Sequence, residues 1–214
     1  MDSLLFLGVE NLAHRAKTGC LGALALGARP WYWRLGYALW LESLRGAAHR
    51  AGRSQAPQEG WQPEDFVYGE TPIWTAYRHL TLCQFPQGGR LLEIGCGRAT
   101  VSLVAALARG GRATGYEILP ARADKARWLT RALQLTTVEI IDADASTCSY
   151  EQVDVVYLTP TTWSDINWKR LTRWLEQAQT GTRAVSLTQP LPNKDWEIVL
   201  ETKMPYTWGA SVTY

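Results

Sequence analysis

Apolar residues in the last 150 positions form short runs that alternate with helical patterns. Residues 90–95 predict a buried strand, a glycine-containing turn follows, and Thr100–Arg109 predicts a helix. Further strands are predicted at 112–117, 138–143, 153–159 and 183–188, with helices from Pro120 and over 167–178. The charged residues of the first of these helices, Arg122 and Lys125 among them, are expected to face water. This alternation is typical of a parallel sheet covered by helices on both faces. Two final strands, at 196–203 and 211–214, have no helix between them and indicate an antiparallel hairpin.

The first 60 residues follow a different pattern. A weakly periodic helix is predicted over 3–27, Pro30 interrupts it, and a second helix carries an apolar stripe. The stripe consists of Trp33, Tyr37, Trp40, Leu41 and Leu44. Arginines border it, so this helix either lies in a membrane interface or packs on the main domain. Residues 51–60 are polar with Gly and Pro and predict a linker, which divides the chain into an extension (1–60) and a domain (61–214).

Composition and charge exclude several classes of protein. With 46% hydrophobic and 20% charged residues, the chain can bury a core and is not disordered. The net charge of +2 argues against nucleic acid held by charge alone, and the basic excess lies in residues 1–60. Four scattered cysteines and three histidines predict neither a metal site nor a disulfide framework, as expected of a cytoplasmic protein. The longest uncharged N-terminal stretch, 18–28, is too short to span a bilayer.

Carboxylates follow two successive predicted strands. The first strand contains Glu93 and ends in Gly95-Cys96-Gly97, and the second ends at Glu117. Glycines let the backbone approach a ligand closely, and open α/β sheets bind ligands at the carboxyl ends of their strands. Glu117 can accept hydrogen bonds from both ribose hydroxyls, so an adenosine-type ligand is indicated. A cationic ligand fits better than NAD, because Thr100 replaces the third glycine and Glu93 would repel a pyrophosphate.

The order E-x-G-x-G, an acid after strand two and Asp144 after strand three resembles the class I, seven-strand, S-adenosylmethionine (SAM)-dependent methyltransferases over residues 64–214. The resemblance implies SAM as cofactor and a Rossmann-like seven-strand sheet. It assigns the methionine end to Glu93, Gly95 and Gly97, the ribose to Glu117, and the adenine to Ile118 and Asp144. Thr71, just before the first predicted helix of the domain, is a further candidate cofactor-binding residue.

Four segments outside that site carry a finer resemblance. They are Tyr68-Gly69-Glu70-Thr71-Pro72, residues 115–120, residues 154–160 and residues 181–186. Together they resemble protein-lysine methyltransferases of the bacterial and mitochondrial branch that includes the ATP-synthase c-subunit enzymes, and the first also resembles the SET-lacking histone-lysine enzymes. The resemblance implies a protein lysine as acceptor, and a membrane protein as its carrier. The chain departs from this group at Arg98 and Ala99, where Asp and Gly are usual.

A lysine amine is nucleophilic only when neutral, so an apolar aromatic channel would favour its methylation. Tyr68, Tyr157 and Trp163 are the candidates for that channel, and Pro160 would shape the turn that carries Trp163. Glu70 either orients the amine or caps the following helix. A buried strand position is an equally good interpretation of Tyr157. The histidines are expected to lie outside the site.

Other functions stay open at this stage. An apolar channel and an interfacial helix also suit a lipophilic small-molecule acceptor, and the altered loop also suits a SAM-binding module without catalysis. A nucleotide-dependent oxidoreductase is a third alternative. The main hypothesis is a methyltransferase acting on a protein with an accessible lysine, with peripheral membrane contact through residues 1–50 and no nucleic-acid partner.

Overall fold

The computed structural model describes residues 2–45, 69–150, 152–192 and 195–214, with side chains from residue 12 onward. The predicted linker and Tyr68 lie outside the described residues.

A parallel sheet of five strands forms the centre of the molecule. The strands are β1 (Arg90–Ile94), β2 (Arg112–Glu117), β3 (Val138–Asp142), β4 (Val155–Leu158) and β5 (Arg183–Ser186), in the order β3-β2-β1-β4-β5. The helices are α3 (Ile73–Leu82), α4 (Thr100–Arg109), α5 (Pro120–Ala132) and α6 (Asp165–Leu175). Buried apolar clusters cover both faces of the sheet, which explains why β4 is apolar and buried along its whole length. The predicted Rossmann-like fold is confirmed.

A C-terminal antiparallel hairpin follows, formed by β6 (Thr202–Tyr206) and β7 (Gly209–Thr213). Two backbone hydrogen bonds of 2.9 Å, exchanged between Ser186 and Tyr214, attach it to the end of β5. The described strands therefore form a five-stranded sheet and a two-stranded one, and the prediction of a single seven-stranded sheet was wrong on this point. The strand predicted at 196–203 was also largely wrong, because Ile198, Val199 and Leu200 lie exposed before β6 begins.

The N-terminal extension consists of α1 (Asp2–Leu26) and α2 (Pro30–Leu44), joined by a tight turn. Pro30 begins α2, where the missing N–H costs no hydrogen bond. Helix α2 packs on α4 and α5, whereas α1 packs on α3 and the hairpin. The packed face of α2 carries Tyr32, Leu35, Ala38 and Glu42.

The apolar stripe of α2 lies largely on the opposite face. Trp33, Tyr37, Trp40 and Leu44, which we call the exposed stripe, keep 55–65% of their surface accessible. The interpretation that this stripe packs on the main domain was therefore wrong, although the helix itself does pack there. Within the described residues, no helix is both long and apolar enough to cross a membrane.

Candidate active site

A cavity of about 330 Å³ opens at the carboxyl ends of the central strands, where an α/β sheet binds its ligands. The backbone that links β1 to α4, residues 95–99, forms its floor, and we call this segment the cofactor loop. Nine of the predicted site residues line the cavity: Glu70, Thr71, Glu93, Gly95, Gly97, Glu117, Ile118, Asp144 and Trp163. The fold therefore brings together residues that are up to 93 positions apart in the sequence.

The cofactor loop has a left-handed backbone at three positions. Gly95 has φ +71°, Gly97 φ +54° and Ala99 φ +57°. A Cβ atom on Gly95 would lie 3.2 Å from Thr159 Oγ1, so this glycine keeps the cavity wall open. Ala99 is the departure from the family pattern noted above, and it adopts the conformation that glycine adopts without strain. The shape of the loop therefore does not depend on a glycine at position 99.

Glu93 is buried beneath the cofactor loop and is anchored by α4. Its Oε2 accepts hydrogen bonds from the backbone N–H of Ser102 at 2.8 Å and from Ser102 Oγ at 2.6 Å. Burial raises the pKa of Glu93 to about 7, although the Ser102 hydrogen bonds oppose the shift. A cation in the cavity would stabilise the ionised carboxylate, because opposite charge favours the charged form.

Glu117 ends β2 beside the cofactor loop. Its Oε2 accepts from Gly97 N–H at 2.8 Å, and its Oε1 accepts from Leu119 N–H at 3.0 Å. Burial raises the pKa of Glu117, and the nearby Arg122 opposes this shift. Each carboxylate oxygen keeps a second lone pair, so Glu117 can fix the loop and still accept two ligand hydroxyls.

Asp144, after β3, is already engaged on both oxygens. Oδ1 accepts from Ser146 N–H at 3.0 Å and from Ser146 Oγ at 2.7 Å, while Oδ2 pairs with Arg170 of α6. A carboxylate has about four acceptor positions, so one remains for the adenine amino group that the sequence assigns to this residue. Arg170 and Ser146 hold the side chain at the cavity wall.

Two tryptophans line the cavity beside Glu70. Trp163 stands on a turn in which its N–H donates to the Pro160 carbonyl at 3.3 Å, which gives Pro160 the turn position the sequence predicted. Trp208, at the tip of the β6–β7 hairpin, packs against Gly69 so tightly that a Cβ there would lie 2.3 Å from the ring. Thr207 Oγ1 accepts from Glu70 N–H at 3.1 Å and completes this roof of the cavity.

Tyr157 lies behind the cavity wall and not among the described residues that line it. It is fully buried, and its hydroxyl lies 3.0 Å from His79 Nδ1 and 3.4 Å from Thr71 Oγ1. Burial lowers the pKa of His79 to about 3, so the imidazole is neutral at physiological pH. The channel role of Tyr157 stays a prediction, and the alternative of a buried strand residue describes its place in the structure.

Glu70 takes part in an ion-pair cluster. Its carboxylate pairs with Arg98 Nη1 at 3.0 Å and with Arg15 Nη2 at 3.4 Å. Helix α3 begins after Pro72, whose side chain forms no cap hydrogen bond, and the capping role considered for Glu70 stays a prediction. Its predicted contact with an acceptor amine stays a prediction, and the two guanidinium groups would share the carboxylate with that amine.

Sequence reasoning missed several residues of this region. Arg122 and Lys125 were expected to face water, yet Arg122 is buried at the cavity and Lys125 pairs with Glu42 at 3.2 Å. Trp208 of the hairpin turn and Arg170 of α6 also line the cavity. No local sequence pattern indicates that these two elements lie close to the cofactor loop. A signal was present for Glu42, because it is the only acid between residues 11 and 58 and lies in a mainly apolar helix.

The comparisons with known proteins bear on the fold. No protein-family model and no curated protein matches the chain. Among solved structures, an RNA methyltransferase from Salinibacter ruber in complex with S-adenosyl-L-homocysteine superposes with a TM-score of 0.58 and 25% identity, over 67% of this chain and 90% of its own. TrmN from Thermus thermophilus gives a TM-score of 0.59 and 19% identity, over 71% of this chain and 50% of its own. The fold is that of the class I methyltransferases.

A precorrin-6y C5,15-methyltransferase from Geobacter metallireducens also matches, with a TM-score of 0.55 and 13% identity over 74% of this chain and 91% of its own. The two neighbours below 25% identity show the fold alone, and the Salinibacter ruber structure supports the predicted activity in its coarser form, a SAM-dependent methyltransferase. The predicted cofactor agrees with that structure, since S-adenosylhomocysteine is the product that SAM leaves after transfer. None of their names mentions a protein lysine.

Proposed function

We propose that this protein is a SAM-dependent methyltransferase whose acceptor is a lysine amine of another protein. One observation carries the cofactor assignment. Two buried carboxylates lie at the carboxyl ends of adjacent parallel strands and line one cavity: Glu117 accepts from Gly97 of the left-handed loop, and Glu93 accepts from Ser102 of the helix that follows the loop. Such a site favours a compact ligand that combines hydroxyls with positive charge.

Different residues would bind the different parts of SAM. Glu117 has a free lone pair on each oxygen for the ribose hydroxyls, and the open backbone at Gly95 admits the methionine end. Glu93 supplies negative charge beneath the loop. When bound, SAM supplies a methyl group on a positively charged sulfur. The protein then has to align the acceptor and exclude water, and no strong base is required.

The acceptor end of the cavity supports an amine. Trp163 and Trp208 line it, so an entering ammonium meets aromatic faces, and it would share the Glu70 carboxylate with the two arginines that pair with it. The same rings exclude water and thereby favour the neutral, nucleophilic form of the amine. The sequence resemblance to protein-lysine methyltransferases agrees with this chemistry.

The test uses the full chain in two steps. Calorimetry with SAM and S-adenosylhomocysteine should show binding that Glu117→Ala abolishes, and absence of binding to the wild-type protein would refute the cofactor site. Labelled SAM is then added with a cell lysate, and the label is followed into protein and into an organic extract. Label on lysine in a protein band supports the proposal, and Glu117→Ala serves as the inactive control.

A lipophilic small molecule is the second candidate acceptor. The exposed stripe of α2 favours it, because an enzyme at a membrane surface would meet substrates dissolved there. In the same labelling experiment, label in the organic extract and not in protein would favour this candidate and refute the lysine acceptor.

We further propose that the exposed stripe contacts the surface of an anionic bilayer. Two contacts order the rings of the stripe: Tyr37 stacks on Trp40 with 5.8 Å between centroids, and Trp33 Nε1 donates to the Gly27 carbonyl. Trp and Tyr prefer the membrane interface, and the exposed Arg34 and Arg45 border the stripe. The packed face of α2 remains bound to the domain in this arrangement.

Flotation with vesicles that contain phosphatidylserine tests this contact. The triple variant Trp33→Ser, Tyr37→Ser, Trp40→Ser should remain in the soluble fraction while the wild-type chain floats. Ile166→Ser, which removes an exposed apolar residue of α6, is the matched control and should float. Equal recovery of wild-type and triple variant would refute the contact.

A further inference from the structure

The departure at Arg98 has a structural partner in the N-terminal extension. Arg98 follows Gly97 in the cofactor loop and lines the cavity, and only 10% of its side chain is exposed. Its Nε lies 2.8 Å from Glu42 Oε2, and its Nη2 donates to the Leu39 carbonyl at 2.6 Å. Both partners belong to α2, and the third nitrogen, Nη1, pairs with Glu70.

Glu42 occupies the centre of this cluster. Its side chain is 3% exposed, and its carboxylate lies between Arg98 of the cofactor loop and Lys125 of α5. A buried carboxylate requires such compensation, because removing one partner leaves an uncompensated charge in a poorly solvated site. The planar fork of Arg98 matches two acceptors at once, which a lysine does not.

The cluster restrains the cofactor loop at the residue that follows Gly97. Gly97 donates to Glu117, and the next residue, Arg98, is bound to α2. Two neighbouring residues of the loop are thus tied to β2 and to the extension, respectively. The same loop contains Ala99, whose backbone is left-handed. A residue other than glycine keeps this conformation only when the surrounding structure holds it there.

We propose that Glu42 and Arg98 are positioning residues and that α2 forms part of the cofactor site. Through this pair the docked extension fixes the conformation of residues 95–99 that accepts the cofactor. An arginine therefore replaces the usual aspartate because its partner comes from a helix outside the methyltransferase domain. The inference rests on the proposed cofactor, and its test separates the two.

Calorimetry with S-adenosylhomocysteine at 15 °C is the experiment, with thermal melting and circular dichroism on the same samples. Glu42→Gln and Arg98→Gln should each raise Kd at least tenfold while both proteins stay folded. The double variant should raise Kd no more than the worse single variant, because both changes remove one shared contact. Arg98→Lys keeps the charge but not the fork, and it should give an intermediate Kd.

Asp124→Asn is the matched control. It removes an exposed ion pair with Arg127 on the same helix as Lys125, and its Kd should equal that of the wild-type chain. Folded variants that melt earlier but bind within twofold of wild type would overturn the inference and leave the cofactor site intact. Additive effects of the two substitutions on Kd would overturn it as well. A wild-type chain that binds no S-adenosylhomocysteine would instead refute the proposed function.

Discussion

Replacing Glu93 with glutamine should remove a pH dependence from the stability of the protein. The pKa of Glu93 is about 7 in the folded state, against 4.5 for an unperturbed glutamate. The native protein therefore holds this proton more tightly than the unfolded chain does. The stabilisation is fully present below pH 4.5 and is lost as the pH rises through 7. At ~1.4 kcal/mol per pKa unit, the loss amounts to about 3 kcal/mol.

Glutamine is neutral at every pH, and its carbonyl can still accept from Ser102 N–H. The free energy of unfolding is measured by urea denaturation at pH 4.5, 6 and 8. As the pH rises, the value for Glu93→Gln should therefore increase relative to that of the wild-type chain. The difference between variant and wild type should grow by about 3 kcal/mol between pH 4.5 and 8. Comparing differences cancels the contributions of all other titrating groups.

Glu139→Gln is the control for this series, because Glu139 is an exposed glutamate on β3. Its difference from wild type should stay flat over the same range. A change below about 1 kcal/mol for Glu93→Gln would show that the carboxylate is already ionised without cost in the folded protein. The account of a desolvated acid beneath the cofactor loop would then be wrong.

Three further substitutions test the site. Glu117→Gln should weaken S-adenosylhomocysteine binding in calorimetry by roughly tenfold, because the amide keeps one acceptor oxygen and turns the other position into a donor; unchanged affinity would contradict the ribose role. Ala99→Gly should leave the free energy of unfolding in urea nearly unchanged, because relief of ~1–2 kcal/mol of left-handed strain offsets the lost methyl group and the added entropy of the unfolded chain. Ala105→Gly, within α4 and free of that strain, should lower it by about 1.5 kcal/mol. Tyr157→Phe should cost about 1–3 kcal/mol by leaving His79 Nδ1 without its partner, with cofactor affinity unchanged; a stable variant with tenfold slower methyl transfer would instead place Tyr157 in catalysis.

The sheet was predictable because its signal is local. The apolar run of β4 indicates a buried parallel strand, and the predicted bounds of β2 and α4 agree with the structure. The apolar run at 198–200 misled the strand prediction, because composition does not say whether a run finds a partner to cover it. Residues Glu93 and Glu117 were found because the strand ends of a parallel sheet meet at one edge.

The polar cluster around Glu42 was beyond prediction for a different reason. Each of its members comes from a separate element, and no spacing along the chain indicates that Arg98 and Glu42 meet 56 residues apart. The prediction that Lys125 faces water was wrong for the same reason. Helical periodicity indicates which residues share a face of the helix, but not whether another element covers that face. The aromatic stripe of α2 was located correctly, but its periodicity could not tell packing from exposure.

The roof over the cavity has a consequence for the order in which the molecule assembles. The floor closes through a contact between Gly97 and Glu117, 20 residues apart, whereas the roof joins Glu70 to Thr207 across 137 residues. Closing the longer loop costs more chain entropy, so the floor can form in a nascent chain well before the hairpin arrives. Ligand capture then belongs to the last stage of folding, and pulse-labelling hydrogen exchange should protect Gly97 ahead of Thr207.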